Sequence, residues 1–320
     1  MENEYRILPQ LDALEFIRIC LKFSPASDLS QKAWIGAAVR NRFLHAAETV
    51  SLPDGRSLRE KLDSLPLPEG HFLYKQLCGG FPKGYVLDVS GMAETRSGFE
   101  LNAGRTYRMD IILLGSLMPL RPYVVSALQT MLSDGLGAPP TRLLLQEIKV
   151  GKPVSLRNFA KRNFTVPVTA RLHFKTPVSL FKPSRGQVSS GYQSKLNGFP
   201  SFYQWMRTAA YRLATLTLLY SETGLPDITD SQQWERIVED LISSASDAWL
   251  LDADLKYRTL RSTPKEGADS VYVMSGYTGS LTFSGISPFL VPVLGMMSQL
   301  CVGNDVNFGF GRYEIDFIEY

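Results

Sequence analysis

The chain has 320 residues, enough for two domains with separate cores, and 44% of them are hydrophobic, as in a globular protein. Its 34 Lys and Arg against 31 Asp and Glu make a nearly even overall balance. No apolar run reaches the roughly 18–20 residues that span a bilayer, and the polar start MENEYRILPQ is no signal peptide. Cys20, Cys78 and Cys301 are odd in number, far apart and without a C-x-x-C pair, so no structural zinc site is expected. A cytoplasmic protein with reduced thiols is the simplest account.

In chain order, Ala13–Phe23 alternates as a strand, and Ser30–Ala47 follows as a helix with Asp28 or Ser30 as cap and Trp34, Val39 and Phe43 on one face. Ser51–Pro82, rich in Pro, Gly and charge, reads as a long excursion with short helical pieces. Tyr85–Val89 and Tyr107–Leu114 are strands, Leu120–Leu132 is a helix with prolines in its first turn, and Thr141–Val150 returns as a strand. The second half repeats the order. Thr165–Phe174 is a strand, Ser184–Gly198 a polar loop, and Phe199–Tyr220 and Ser231–Ser244 are helices, with Trp205 and Tyr211 on the core side of the first. Trp249–Arg261 and Val271–Phe283 are long strands, Ser287–Cys301 is a helix, and Gly309–Ile318 closes the sheet. The expectation is an α+β protein of two tandem ferredoxin-like (βαββαβ) domains. The first spans 1–150, with a long insertion at about 48–82, and the second spans 151–320.

Two features point to a polyanionic partner. Between Glu147 and Glu222 there is no acid, but there are twelve basic residues: Lys149, Lys152, Arg157, Lys161, Arg162, Arg171, Lys175, Lys182, Arg185, Lys195, Arg207 and Arg212. Such a block reads as the electrostatic footprint of a nucleic-acid binder. The second feature is VGNDVNFGFGRYEI (302–315), where Gly303, Gly309 and Gly311 precede Arg312 and a strand. Glycines after a helix most often make caps and tight turns, and no dinucleotide or P-loop fingerprint is present. A glycine loop with bare N–H groups that ends on an arginine is nevertheless suited to gripping a phosphate backbone.

Several stretches line up with one family. Gly276–Arg312 reads GYTGSLTFSGISPFLVPVLGMMSQLCVGNDVNFGFGR, YRMDIILLGSLMPLRPYVVSALQTMLSDGLG lies in the first half, and VTARLHFKTPVSLFK opens the second. Over about Tyr85–Tyr320 the chain resembles the CRISPR-associated precursor-RNA processing endoribonucleases of the RAMP superfamily. It departs from them where Asn304 and Asp305 replace the usual Lys-Gly. The resemblance implies a protein that binds CRISPR repeat RNA and cuts it once without a metal or other cofactor, by 2′-OH attack, leaving a 2′,3′-cyclic phosphate and a 5′-OH. It also implies possible homodimers and CRISPR effector or adaptation proteins as further partners.

That chemistry needs a base, an acid and cations beside the phosphorus. The resemblance places a catalytic histidine on or just after the first helix, which is where His45 stands, with Arg40 and Arg42 near it in sequence. As a residue near a helix end, His45 could equally be a partner of the helix dipole. His71, with Tyr74 and Lys75 a turn away, offers a second base with a hydrogen-bonding and a cationic neighbour, or else the polar face of an amphipathic helix. His173 shares a strand face with Arg171 and Lys175 and reads as an RNA contact. Tyr192 and Phe199 flank the polar loop and could stack unpaired bases, and Arg121 could reach a phosphate. No Asp/Glu/His spacing suits a carboxylate-metal nuclease: Asp252 and Asp254 lack a third ligand. The alternatives to an endoribonuclease are a catalytically silent RAMP subunit that holds guide RNA in an effector complex, and a structural protein with a basic surface.

Overall fold

The computed structural model describes residues 11–78, 80–92, 94–95, 98–160, 164–180, 200–221, 228, 230–261 and 272–318. Lys161, Arg162, Lys182, Arg185, Tyr192, Lys195 and Phe199 lie outside the described residues.

The first lobe runs β1 (Phe16–Pro25), β2 (Leu29–Gln31), α1 (Ile35–Glu48), α2 (Leu58–Asp63), α3 (Tyr74–Leu77), β3 (Tyr85–Asp88), β4 (Glu94–Thr95), β5 (Gly98–Leu101), β6 (Tyr107–Leu114), α4 (Arg121–Asp134) and β7 (Leu143–Val150). Its main sheet is antiparallel in the order β3-β6-β1-β7. Period-two alternation decides the faces: Ile17, Ile19, Leu21 and Phe23 are buried, and Arg18, Cys20 and Lys22 point the other way. The second lobe runs β8 (Val168–Val178), α5 (Phe202–Tyr220), α6 (Ser231–Ile242), β9 (Trp249–Arg261), β10 (Val273–Ile286), α7 (Val291–Leu300) and β11 (Tyr313–Ile318), with sheet order β11-β8-β10-β9. Both lobes therefore place the first strand between the third and the last. This is the ferredoxin-like arrangement twice, with α6 as an extra helix in the second lobe and the small β2-β5-β4 sheet as an addition to the first. Trp205 seats α5 on its sheet, stacked on Phe174 at 5.3 Å and edge-on to Tyr313 at 5.2 Å.

Several boundaries differ from the sequence expectation by a few residues, as where the closing strand starts at Tyr313 and not Gly309, and the start of the first helix differs in kind. The first helix begins at Ile35, after Trp34, with no side-chain cap. Leu29–Gln31 is a strand paired with Phe99–Leu101, and the Asp28 carboxylate accepts from the Ala103 amide at 2.6 Å instead of capping a helix. Those partners lie some seventy residues downstream, beyond the reach of local pattern.

The lobes meet through the glycine loop. The Trp34 indole N–H donates to the Phe308 carbonyl, and its ring sits edge-on to Phe310 at 5.3 Å. Gly36, in the first turn of α1, lets that carbonyl approach: a Cβ there would stand 1.9 Å from Phe308 O. Gly36→Ala is therefore expected to cost about 1–3 kcal/mol, read as a lower midpoint in denaturant. Gly70→Ala, where a Cβ meets nothing within 4 Å, is expected to leave the midpoint in place.

Beside this contact lies an ionic row. Asp88 on β3 accepts from Arg312 Nε at 2.9 Å and from Arg18 Nη1 at 3.4 Å. Arg18 also donates to Asp110 and to Gln299 of α7, and Arg108 grips Asp110 with two bonds of 2.9 and 2.8 Å. Burial alone would raise the Asp110 carboxyl, but the bonds from Arg108 and Arg18 outweigh it and hold the group below its ordinary value. A carboxyl depressed on folding contributes stability at neutral pH that is lost as pH falls through the folded-state value. Asp110→Asn is thus expected to lower stability at pH 7 and to flatten its decline below about pH 4, measured by denaturant titration across pH.

Candidate functional site

The outer face of α1 forms one wall of a groove of about 1050 Å³. Asn41, Arg42 and His45 fall on that face because residues three and four apart are neighbours on a helix, and Arg40 joins them at the rim. The other walls are Gln31–Ala33 from the edge of β2, Arg59 and Asp63 from α2, and the Gly137–Pro140 turn after α4. Four cations and one histidine thus face a single carboxylate, Asp63, which is itself held by Lys83 at 3.0 Å. A concave site lined by one sign of charge concentrates an anionic ligand. Arg59 is spoken for by Glu48 at 2.6 Å and more loosely by Asp63 at 3.8 Å. Arg40 differs: its guanidinium lies over the Phe308 ring, 4.9 Å from the centroid, and its buried Nε has no hydrogen-bond partner. His45 is exposed to the groove. Sequence reasoning singled out His45, Arg40 and Arg42. It missed Lys32, Asn41 and Arg59, which only the tertiary fold brings in, and Phe308 from the other lobe.

The second histidine stands elsewhere. His71, Tyr74 and Lys75 are not among the residues lining the groove. His71 Nδ1 accepts from the Leu73 amide at 3.2 Å and its ring lies on Phe72 at 4.6 Å. Burial pushes its pKa down, which favours the neutral ring that this bond requires.

The acid-free block does not make a bare positive face. Acids from neighbouring strands and other segments meet its members. His173 Nε2 lies 3.0 Å from Asp316, Lys175 3.3 Å from Glu314, and Arg171 3.8 Å from Asp252, where it also donates to Thr282. Lys149 pairs with Glu147 at 2.6 Å, Arg157 with Asp12, and Arg207 with Glu239 at 3.9 Å. Arg212 is half-buried, and desolvation pushes its pKa down to about 10. Lys152 is exposed, as is Arg121 at the start of α4.

The glycine loop also departs from the expectation that it grips phosphate. The amides of Asn304, Phe308, Gly309 and Gly311 donate to Ser179, Asp305, Val306 and Pro177. Gly309 is buried against Val89 and Leu87, and Gly303 packs on Ser179. Gly311, at φ 87°, is required because a Cβ would sit 2.2 Å from the Val302 carbonyl. Arg312 is only 9% exposed, and besides Asp88 it donates to the carbonyls of Ser298 and Tyr313. The loop is a clasp between lobes, and Arg312 points into the protein.

Among the described residues no group of three or more His, Cys, Asp or Glu side chains could hold a metal ion, and no helix is long and apolar enough to cross a membrane.

The arrangement of the two lobes recurs in solved structures. A Cas6 of Thermus thermophilus in a product complex superposes with a TM-score of 0.53 at 15% identity, covering 94% of this chain and all of that one. The chain has the Cas6 fold. A second Cas6 product complex gives a TM-score of 0.51 at 12% identity over 94% of this chain and 99% of that one. A chain of a partial Cas6-RT-Cas1–Cas2 complex gives 0.59 at 13% identity over 98% of this chain, which spans only 47% of that longer partner's length. The model of the AF_1859 N-terminal domain family matches residues 66–165, from the excursion before β3 to the segment entering β8. No curated protein matches by sequence. The Cas6 fold thus extends over both lobes.

Proposed function

We propose that the chain is an endoribonuclease that binds CRISPR repeat RNA and cuts it once in the groove on α1. The observation that carries this reading is the meeting of His45, Arg40, Arg42 and Lys32 in one concave, basic site on a Cas6 fold. Histidine suits proton transfer near neutrality. His45 takes the proton of the 2′-OH, the 2′ oxygen bonds to the adjacent phosphorus, and the bond to the 5′ oxygen breaks. That oxygen leaves with a proton drawn from solvent in the open groove, giving a 2′,3′-cyclic phosphate and a 5′-OH. Arg40 and Arg42 stabilise the negative charge that builds on the phosphorane. The reaction as written needs no metal. His71, with Tyr74 and Lys75, and the exposed Lys152 are assigned to RNA contact outside the cleavage centre. CRISPR repeat RNA is the proposed partner, and adaptation proteins of the kind named in the Cas6-RT-Cas1–Cas2 complex are a further one.

The test is cleavage of the source organism's CRISPR repeat RNA in EDTA, with a 2′-deoxy substitution at the cut site as control. Cutting is expected to persist in EDTA, to stop with the 2′-deoxy RNA, and to leave a cyclic phosphate on the upstream product. Salt-sensitive binding without any cutting would replace this reading with the silent RNA-holding subunit. A chain that neither binds nor cuts the repeat would retain only the fold.

A further inference from the structure

Among the described residues, Arg40 is a groove cation that reaches across to the other lobe. Its guanidinium rests on Phe308. Phe308 is fixed in three ways: its carbonyl accepts from the Trp34 indole, its amide donates to the Asp305 carbonyl at 2.8 Å, and its ring stacks with Tyr272 at 5.5 Å and 26°. Tyr272 in turn donates its hydroxyl to the Asp305 carboxylate at 3.0 Å. Asp305 stands in left-handed backbone at φ 59°, a conformation that Asp tolerates better than most residues with a side chain. Asp305, Tyr272, Phe308 and Arg40 thus form a connected column from the glycine loop to the groove.

The physics of the last contact matters. An arginine held by a carboxylate, as Arg59 is by Glu48, loses much of its charge to its partner. An arginine held by an aromatic face is oriented by the ring quadrupole and stays charged, and the Arg40 donors not turned to the neutral, buried Tyr85 hydroxyl remain for an incoming anion. We propose that Phe308, braced by Tyr272 and Asp305, is a positioning residue that aims Arg40 at the scissile phosphate without neutralising it. This inference rests on the proposed role of Arg40 in RNA cutting. It assigns Asp305 a use: it braces the ring that orients the cation.

Two readouts test it. In the full chain labelled with ¹⁵N-arginine, the Arg40 Nε–H proton is expected upfield, shielded by the Phe308 ring, and assigned by its absence in Arg40→Lys. That shift is expected to collapse in Phe308→Leu, to shrink in Tyr272→Ala and to survive in Phe308→Tyr. In single-turnover cleavage, Phe308→Leu and Tyr272→Ala are expected to slow the chemical step about tenfold with unchanged affinity for 2′-deoxy repeat RNA, and Phe308→Tyr to restore it. In an Arg40→Ala background the same changes are expected to add nothing. An unshifted Arg40 resonance in the wild type would overturn the proposal, as would lost RNA affinity at an undiminished rate, which would make these rings direct RNA contacts. If the wild type cuts no repeat RNA, the functional reading fails by itself, and the resonance still decides whether Phe308 holds Arg40.

Discussion

His45→Ala is expected to reduce single-turnover cleavage of the repeat by roughly a hundred- to ten-thousandfold, the range for loss of a general acid or base. Affinity for uncleavable 2′-deoxy RNA is expected to stay at the wild-type level, because His45 is one exposed side chain in a groove whose charge comes from Lys32, Arg40, Arg42 and Arg59. The parallel change His71→Ala is expected to leave the rate near wild type. His71 spends its Nδ1 on the Leu73 amide and stands outside the groove. If His71→Ala silences cleavage and His45→Ala does not, the cleavage centre belongs on the segment around α3. If neither does, the groove works through its cations and substrate positioning, and the general-base role falls.

Arg312→Ala is expected to be the most damaging single change to stability, by about 3–5 kcal/mol, as when one partner of a buried ion pair is removed. Arg312 is nearly fully buried and joins Asp88 of the first lobe to the carbonyls of Ser298 and Tyr313 in the second. The truncation strands Asp88, which would keep Arg18 as a distant partner at 3.4 Å and its local bonds from Ser90. Arg312→Lys is expected to rescue little, because a single ammonium cannot reach a carboxylate and two carbonyls in the geometry of a guanidinium. Chemical denaturation of both variants beside wild type measures this. An Arg312→Ala protein with wild-type stability and weakened RNA binding would return the residue to the phosphate-gripping role expected from the sequence.

The element order of both lobes was legible because alternation and helical periodicity are local signals. Trp249–Arg261 is a strand over that very range, and Tyr107–Leu114 likewise. What the sequence could not convey was register. The basic block reads as a positive field in one dimension, but β11 lies against β8 with Glu314 opposite His173 and Asp316 opposite Arg171, so the acids that answer His173 and Lys175 come from over a hundred residues away. Arg312 was misread for the same reason: its partner Asp88 is 224 residues upstream. His45, Arg40 and Arg42, which line the groove, could be singled out because they are neighbours in sequence on the first helix. Lys32, Arg59 and Phe308 were missed because only packing delivers them. The glycine loop was correctly singled out as special, but glycine serves close approach of backbones as readily as close approach of a phosphate.

The Trp34 indole and its acceptor at Phe308 are 274 residues apart. Contacts so distant in sequence form late, and domains generally fold as they leave the ribosome. The first lobe can therefore assemble while the segment that will cover Trp34, Gly36 and Asp88 has yet to be translated. During that interval a nascent chain shows an apolar ring and a half-satisfied carboxylate to its surroundings. A gene cut short between the end of the first lobe at Val150 and codon 302 would release a folded but adhesive half. Expression yield should accordingly depend on how quickly translation of the second lobe is completed and on which chaperones wait at the tunnel exit.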